Sequence, residues 1–146
     1  MTRRVVTGLD AEGKSCILID GEVPSTSQTG GLIWRSDSVP ADNSGGEPEQ
    51  VPFSMELMHG GGTTFMVVDF PPGMPGFKHA TDTLDYIIVL KGQVTLEVET
   101  GEVTCGPGDF IVDRGVVHSW RNDGPEVATI ATVTLPAHPV GKGRTV

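Results

Sequence analysis

The chain has 146 residues, among them 20 glycines and 11 prolines, and a formal net charge of -9. This length fits one domain with a core of its own, so we expect a single domain over residues 1–146. The negative charge, with no cluster of Lys or Arg to offset it, argues against nucleic acid or an anionic membrane surface as a partner. No segment has the apolar length of a signal peptide or a membrane span, so we expect a cytoplasmic protein.

Short runs that alternate Val and Thr with polar residues predict an all-β fold with little helix. Within residues 1–62 the sequence predicts a hairpin from Arg4 to Gly21 and a short strand at 32–35. Residues 36–50 are polar and rich in turn formers, which indicates a loop, either a surface lid or a loop at a dimer edge. Cys16 and Cys105 form no Cys-x-x-Cys pair, so we expect two reduced, packed thiols.

The rest of the chain is more regular. Strands are predicted at 64–70, 85–90, 93–99, 103–105, 110–112, 118–122 and 126–135. Tight turns rich in Gly and Pro separate them. Eight or more short strands with such turns indicate a β-sandwich or a β-barrel.

The first stretch with the spacing of a site runs from Gly73 to Gly92 and contains His79, Thr81 and Asp85. His79 and Thr81 share strand parity, so their side chains point the same way. A turn after Thr81 would bring Asp85 back beside them. In a closed barrel, a second histidine, His118, can arrive opposite from a distant strand.

These residues resemble the two sequence motifs of the cupins, a family of small jelly-roll β-barrels. Gly73, His79, Asp85 and Gly92 fall on the first motif, with Thr81 in place of its second His and Asp85 in place of its Glu. The resemblance implies a cupin-type jelly-roll β-barrel, also called a double-stranded β-helix.

The second cupin motif is matched by Gly108, Gly115, His118 and Asn122. Asp113 stands at its proline position, and one residue fewer follows Gly108. Together the motifs cover residues 73–122, about a third of the chain. The family includes decarboxylases, dioxygenases, isomerases, cyclases, lyases and non-catalytic binders, so the fold alone does not decide the function.

The candidate site therefore consists of His79, Asp85 and His118, as catalytic residues, as metal ligands, or as both. Two imidazoles and one carboxylate suit non-haem iron and also manganese, nickel or zinc, so one divalent metal ion is the first hypothesis. A Thr hydroxyl is a poor ligand, and Asp is shorter than Glu. The alternatives are a metal-free cluster in which Asp85 orients an imidazole as a general base, or a structural polar cluster.

Four residues near this site are expected to contact a substrate: Phe77, Thr81, Tyr86 and Trp120. Trp120 shares strand parity with His118 and is the preferred aromatic pocket residue. His59 and His138, by contrast, are expected to be exposed to solvent.

We expect an enzyme of small-molecule metabolism, a lyase, decarboxylase, isomerase or cyclase acting on a small, partly apolar organic molecule. The alternative is a cupin that binds a small metabolite without chemistry. The edges of a small β-domain are often covered by a second copy, so a homodimer is expected, with residues between Val5 and Trp34 at its interface.

Overall fold

The computed structural model describes residues 2–24, 30–52 and 54–146. In these segments the chain forms ten strands and one short 3-10 helix, Met55–His59. The strands are β1 (Arg3–Leu9), β2 (Ser15–Glu22), β3 (Gly30–Ser36), β4 (Thr63–Phe70), β5 (Thr83–Lys91), β6 (Val94–Val98), β7 (Gly101–Cys105), β8 (Phe110–Asp113), β9 (His118–Arg121) and β10 (Ala128–Pro136). The predicted all-β fold is confirmed, and the predicted strands agree with the observed ones to within a few residues.

The strands form three antiparallel sheets. The N-terminal hairpin, β1 and β2, is a sheet by itself, as the sequence predicts. A five-stranded sheet has the order β3-β4-β10-β5-β8, and a three-stranded sheet has the order β7-β6-β9. The last strand in the chain, β10, thus lies between β4 and β5 at the centre of the larger sheet.

The apolar core lies between the five-stranded and three-stranded sheets. One group of buried side chains combines residues of both: Phe70, Ile87, Val89, Ala128 and Ile130 from the larger sheet, and Val94 and Cys105 from the smaller one. Every second residue of β5 and β10 is buried, which is the period of a strand with one face on the core. Both cysteines are free; Cys105 is buried and Cys16 is half-buried.

A row of polar residues crosses the five-stranded sheet near its other end. Residues directly opposite each other on antiparallel strands project from the same face. Successive pairings across β3, β4, β10, β5 and β8 therefore place five side chains on the interior face, and we call them the polar row: Arg35, Thr64, Thr134, Asp85 and Asp113.

The 3-10 helix Met55–His59 is an element that the sequence did not predict. The side chain of Ser54 caps it by accepting a hydrogen bond from the Leu57 backbone N–H at 3.3 Å. The helix and the residues before it pack on buried Leu32 and Met66, so tertiary packing supports a segment too short to be stable alone.

His59 ends this helix and is half-buried, which corrects the expectation that it is exposed. Its Nδ1 lies 3.0 Å from the carbonyl oxygen of Met55, and its Nε2 accepts a hydrogen bond from the backbone N–H of Asp82 at 3.3 Å. The imidazole therefore joins the helix to the turn before β5, a contact that required the unpredicted helix. His138 is exposed, as expected.

The polar loop predicted at 36–50 has neither strand nor helix after Ser36. It is tied to the N-terminal hairpin by Arg4, whose guanidinium pairs with Glu47 and also donates to the carbonyl oxygen of Ile33 at 2.9 Å. Across the described part of the chain, no helix has the length and apolar character needed to cross a membrane.

Candidate functional site

Two histidines from the two motif regions meet in the barrel. The backbones of His79 and His118 form an isolated antiparallel bridge in which each N–H donates to the other carbonyl at 2.9 Å. Their rings lie 4.5 Å apart between centroids. His118 is buried at the start of β9, and His79 is half-buried. The predicted meeting of these two side chains is thus observed.

Both imidazoles are held in the same way. Nδ1 of His79 lies 2.8 Å from the carbonyl oxygen of Phe77, and Nδ1 of His118 lies 2.8 Å from that of Val116. A carbonyl oxygen only accepts hydrogen bonds, so each Nδ1 carries the hydrogen. In the neutral form of either ring, Nε2 then keeps its lone pair for a proton or a ligand.

The carboxylate that contacts a histidine is Asp113. Its Oδ2 lies 3.0 Å from Nδ1 of His118, and both side chains are buried. The Nδ1 hydrogen is directed to the Val116 carbonyl, so Asp113 acts on this ring mainly through its charge. The other carboxylate oxygen of Asp113 accepts a hydrogen bond from the Gly115 backbone N–H at 3.2 Å.

Asp85 lies directly opposite Asp113 in the β5–β8 pair and is also buried. Its Oδ1 finds no hydrogen-bond partner among the described residues. Burial raises the pKa of the Asp85 carboxyl from 3.8 to about 6; the Thr83 hydroxyl opposes this rise and the charge of Asp113 adds to it. Asp85 therefore changes protonation state near pH 6.

Burial acts on His79 in the opposite direction. Burial lowers the pKa of this imidazole below its ordinary value, and repulsion from His118 lowers it further. The hydrogen bond to the Phe77 carbonyl opposes this change because it favours the charged ring. His79 is therefore neutral at pH 7 and able to accept a proton at Nε2. A neutral imidazole and a carboxyl that protonates near pH 6 on one interior surface provide a base and an acid.

Three of the four predicted substrate contacts lie at the histidine pair or at the turn before β5. The Trp120 ring meets His118 edge-on at 5.9 Å, and the Phe77 ring stacks on His79 at 5.1 Å between centroids. Thr81 is buried, with its hydroxyl 2.6 Å from that of Thr83. Phe77 itself is 57% exposed, so it covers His79 from the solvent side.

Tyr86 does not belong to this surface, which corrects the expectation for it. Its neighbour Asp85 faces the interior, and successive residues of a strand point to opposite faces. Tyr86 accordingly lies on the outer face and is 49% exposed. Strand parity alone was enough to predict that Asp85 and Tyr86 lie on opposite faces of the sheet.

Asp113 is the site residue that the sequence analysis missed. The analysis chose Asp85 to orient an imidazole, whereas the structure places Asp113 in contact with His118. The signal was present in the departure from the second motif, where Asp113 occupies the proline position. An acidic residue in place of a proline within five positions of a candidate His was a reason to include it.

The two histidines have some of the features of metal ligands. The two anchored imidazoles have the form that metal ligands take, with Nδ1–H held by a carbonyl and Nε2 available. No group of three or more His, Cys, Asp or Glu side chains within residues 2–24, 30–52 and 54–146 is placed to hold an ion. The assignment of His79, Asp85 and His118 as metal ligands therefore stays a prediction.

Comparisons with known proteins agree with this architecture. Residues 66–134 match the Cupin_2 model, a cupin domain. A solved structure of an uncharacterized conserved protein with a double-stranded β-helix domain, from Klebsiella pneumoniae, has 16% identity and a TM-score of 0.53 and covers 79% of this chain and 84% of that chain. The chain therefore contains a cupin domain, and its fold is the cupin double-stranded β-helix.

Two curated relatives align with this chain over different lengths. Oryzines biosynthesis cluster protein J of Aspergillus oryzae is 39% identical over 82 residues, which are 55% of this chain and 46% of that protein. The cupin-domain-containing oxidoreductase srdB of Neurospora crassa is 28% identical over 140 residues, 90% of this chain and 71% of that protein. The first relatives matched are thus about twice as long as the part that aligns.

Proposed function

We propose that this protein is an acid/base enzyme of small-molecule metabolism, an isomerase, lyase or cyclase that moves a proton on an organic molecule bound between the two sheets. The observation that carries the proposal is the His79–His118 pair, with both Nδ1–H groups anchored and Asp113 beside one ring. The names of the relatives, which refer to biosynthesis clusters and oxidoreductases, also support small-molecule metabolism.

In this proposal, the base is His118. Its Nε2 removes a proton from the substrate, and the nearby carboxylate of Asp113 stabilises the positive charge that the ring acquires. His79 packs against this ring as a second neutral proton acceptor. Asp85 in its protonated form returns a proton to another atom of the substrate, so that the net result is an isomerisation or the loss of a leaving group.

The surroundings suit a partly apolar substrate. Trp120 contacts His118 on one side and packs against the apolar core on the other. The hydroxyls of Thr64 and Thr132 are buried and form no hydrogen bond within the described segments, so they are available to a ligand. An interior with apolar walls and a few convergent polar groups is the usual form of a small-molecule site.

The test is proton exchange. The protein is incubated in D₂O with a panel of small carbonyl compounds, with and without a carboxylate, and deuterium incorporation next to the carbonyl is followed by NMR. We expect exchange with the wild type and a loss of about 100-fold or more in His118→Gln and Asp113→Asn. The exposed variant His138→Ala is the matched control and should retain full activity.

Absence of exchange with every compound would overturn the proposal, as would equal activity in His118→Gln. A compound that binds to the wild type without exchange would instead support the non-catalytic cupin. Circular dichroism and thermal unfolding of each variant separate loss of chemistry from loss of fold.

A second experiment tests the hypothesis, made from the sequence, that the site holds a divalent metal ion. Metal content is measured on protein purified without chelator, and the exchange assay is repeated after dialysis against EDTA. Acid/base chemistry predicts unchanged activity. If activity is lost and manganese, iron, nickel or zinc restores it, a metal-dependent mechanism replaces this one. Oxidation of a panel compound would favour redox chemistry.

The cytoplasmic location stays a prediction.

We also propose that the protein is a homodimer. The β1–β2 hairpin exposes Val5, Ile17 and Leu18, and the outer face of the five-stranded sheet exposes Tyr86 and Phe110. Exposed apolar side chains on sheet faces and edges favour association. Light scattering at micromolar concentration should give twice the monomer mass for the wild type and the monomer mass for Ile17→Lys. A monomeric wild type would contradict the proposal.

A further inference from the structure

Arg35 occupies the end of the polar row on β3. It lies directly opposite Thr64, which is 4% exposed, so its side chain starts from the interior face of the sheet. Arg35 is half-buried, and its Nε atom is shielded from solvent without a hydrogen-bond partner in the described chain. The Nε–H of Arg35 is thus a buried donor without an acceptor among the described residues.

Charge pairing sets this arginine apart from the other cations. The remaining arginines that are not exposed, Arg4 and Arg121, are paired with carboxylates. The other cations that form no ion pair within the described residues, Lys91, Arg114 and Lys142, are exposed. Residues 1, 25–29 and 53 include no Asp or Glu. In a chain of net charge -9, a half-buried arginine without an acidic partner in the described residues is therefore an exception.

The residue beside Arg35 extends the same feature. Thr64 is the next member of the polar row and is 4% exposed, and its hydroxyl has no hydrogen-bond partner among residues 2–24, 30–52 and 54–146. Buried polar groups in native proteins are generally satisfied, so unsatisfied donors next to an uncompensated positive charge indicate an anionic ligand. A guanidinium presents its N–H groups in the fork that a carboxylate matches.

The far end of the polar row gives the ligand its orientation. Asp85 and Asp113 lie three and four strands from Arg35, and the β3 and β5 backbones are about 14 Å apart at the usual strand spacing. Asp113, and Asp85 when it is ionised, repel an anionic group, whereas Arg35 attracts it. A small molecule with one carboxylate would therefore lie with that group at Arg35 and its neutral, reacting part at Asp85 and the histidine pair.

We propose that the substrate is a small organic acid whose carboxylate is bound by Arg35, with Thr64 as an additional hydrogen-bond donor. This inference rests on the proposed function for the chemistry at the other end of the molecule, but carboxylate binding is measured independently of any reaction. Arg35 is a substrate-binding residue in this proposal and takes no part in proton transfer.

The experiment compares ligands that differ only in charge. Hexanoate, hexanamide and inorganic phosphate are titrated by calorimetry into the wild type, Arg35→Gln, Arg35→Lys and Lys91→Gln, the last an exposed cation that serves as the matched control. We expect hexanoate to bind to the wild type and to Lys91→Gln equally, to lose at least 10-fold in affinity in Arg35→Gln, and to lose less in Arg35→Lys. Hexanamide should bind weakly to all four proteins.

Three results would overturn the inference: no hexanoate binding by the wild type, equal binding by Arg35→Gln, or tighter binding of phosphate than of hexanoate. Arg35 has no ion pair to lose within the described chain, so Arg35→Gln should fold normally, and thermal unfolding checks this. If Arg35→Lys binds hexanoate as tightly as the wild type, the positive charge alone accounts for binding and the guanidinium fork has no role.

The exchange assay then separates this inference from the proposed function. If hexanoate binding depends on Arg35 but no compound exchanges deuterium, the carboxylate site stands and the acid/base proposal fails. If uncharged carbonyl compounds exchange as well as their carboxylate analogues and Arg35→Gln has no effect, the acid/base proposal stands and the carboxylate site fails. If both hold, Arg35→Gln should raise KM for a carboxylate substrate far more than it lowers kcat.

Discussion

The interior face of the five-stranded sheet has two halves, built by the same strands. Along β4 the inward residues run from Thr64 to Phe70, and along β10 they run from Thr134 to Ala128, each from a polar end to an apolar end. The apolar half packs against the three-stranded sheet. The polar half presents carboxylates, hydroxyls and the guanidinium of Arg35, and several of their atoms find no hydrogen-bond partner in the described chain.

This difference shows how a strand can carry a site without losing its fold. Threonine is β-branched like valine and fits a pleated, half-buried surface equally well, but it carries a hydroxyl. Replacing valines by threonines at one end of three adjacent strands therefore keeps the strands and changes the interior. The apolar half stabilises the fold, whereas the unsatisfied groups of the polar half lower its stability.

The largest expected effect is in the apolar half. Ile87 is 3% exposed and belongs to the core, so Ile87→Ala should lower the free energy of unfolding by about 3 kcal/mol, measured by urea denaturation. The matched control is Ile88→Ala on the outer face of the same strand, where the side chain is 38% exposed and the loss should be clearly smaller. Equal losses would mean that the two faces of β5 are not distinguished as the structure has them.

The next effect is in the polar half and depends on pH. The pKa of Asp85 is raised on folding, so the folded state favours the protonated carboxyl, and ionisation costs stability as the pH rises from 4 to above 6. The rise in pKa from 3.8 to about 6 corresponds to about 3 kcal/mol. Asp85→Asn should therefore be more stable than the wild type at pH 8, by up to this amount, and nearly equal to it at pH 4.

Denaturation of both proteins at several pH values between 4 and 8 checks this prediction. The difference between them is the informative quantity, because the other carboxylates titrate in both. A difference that does not change with pH would show that Asp85 has an ordinary pKa, and the proposed acid would then be lost.

Motif spacing was sufficient to find the two histidines, because Gly73, Gly92 and Gly108 set turns whose geometry is local. Gly73, Gly92 and Gly108 all have positive φ, a conformation that favours glycine. The all-β fold followed in the same way from turn residues and alternation. Tyr86 was assigned to the wrong face although its parity with Asp85 was readable from the sequence.

Arg35 and its place in the polar row were beyond the same reasoning for a different reason. The polar row joins β3 to β8 through the order β3-β4-β10-β5-β8, and β10 comes last in the chain. Register between strands so distant in sequence depends on the completed sheet, which local spacing does not encode. Arg35 belongs to no sequence motif, and its lack of an acidic partner is visible only once the positions of all ion pairs are known.

The smallest expected effect distinguishes the two halves most directly. Thr64 is 4% exposed, and its hydroxyl has no hydrogen-bond partner in the described residues, so Thr64→Val should leave the free energy of unfolding unchanged or raise it by about 1 kcal/mol. The same change should weaken hexanoate binding, because it removes a donor beside Arg35. Thr129→Val, on the outward parity of β10, is the contrasting variant: its hydroxyl donates to Asp69 at 2.6 Å, so it should lose stability and leave binding unchanged. Urea denaturation and calorimetry on both variants check the pair. If Thr64→Val instead destabilised the protein and bound hexanoate as the wild type does, the Thr64 hydroxyl would be a structural group and not a donor to the ligand.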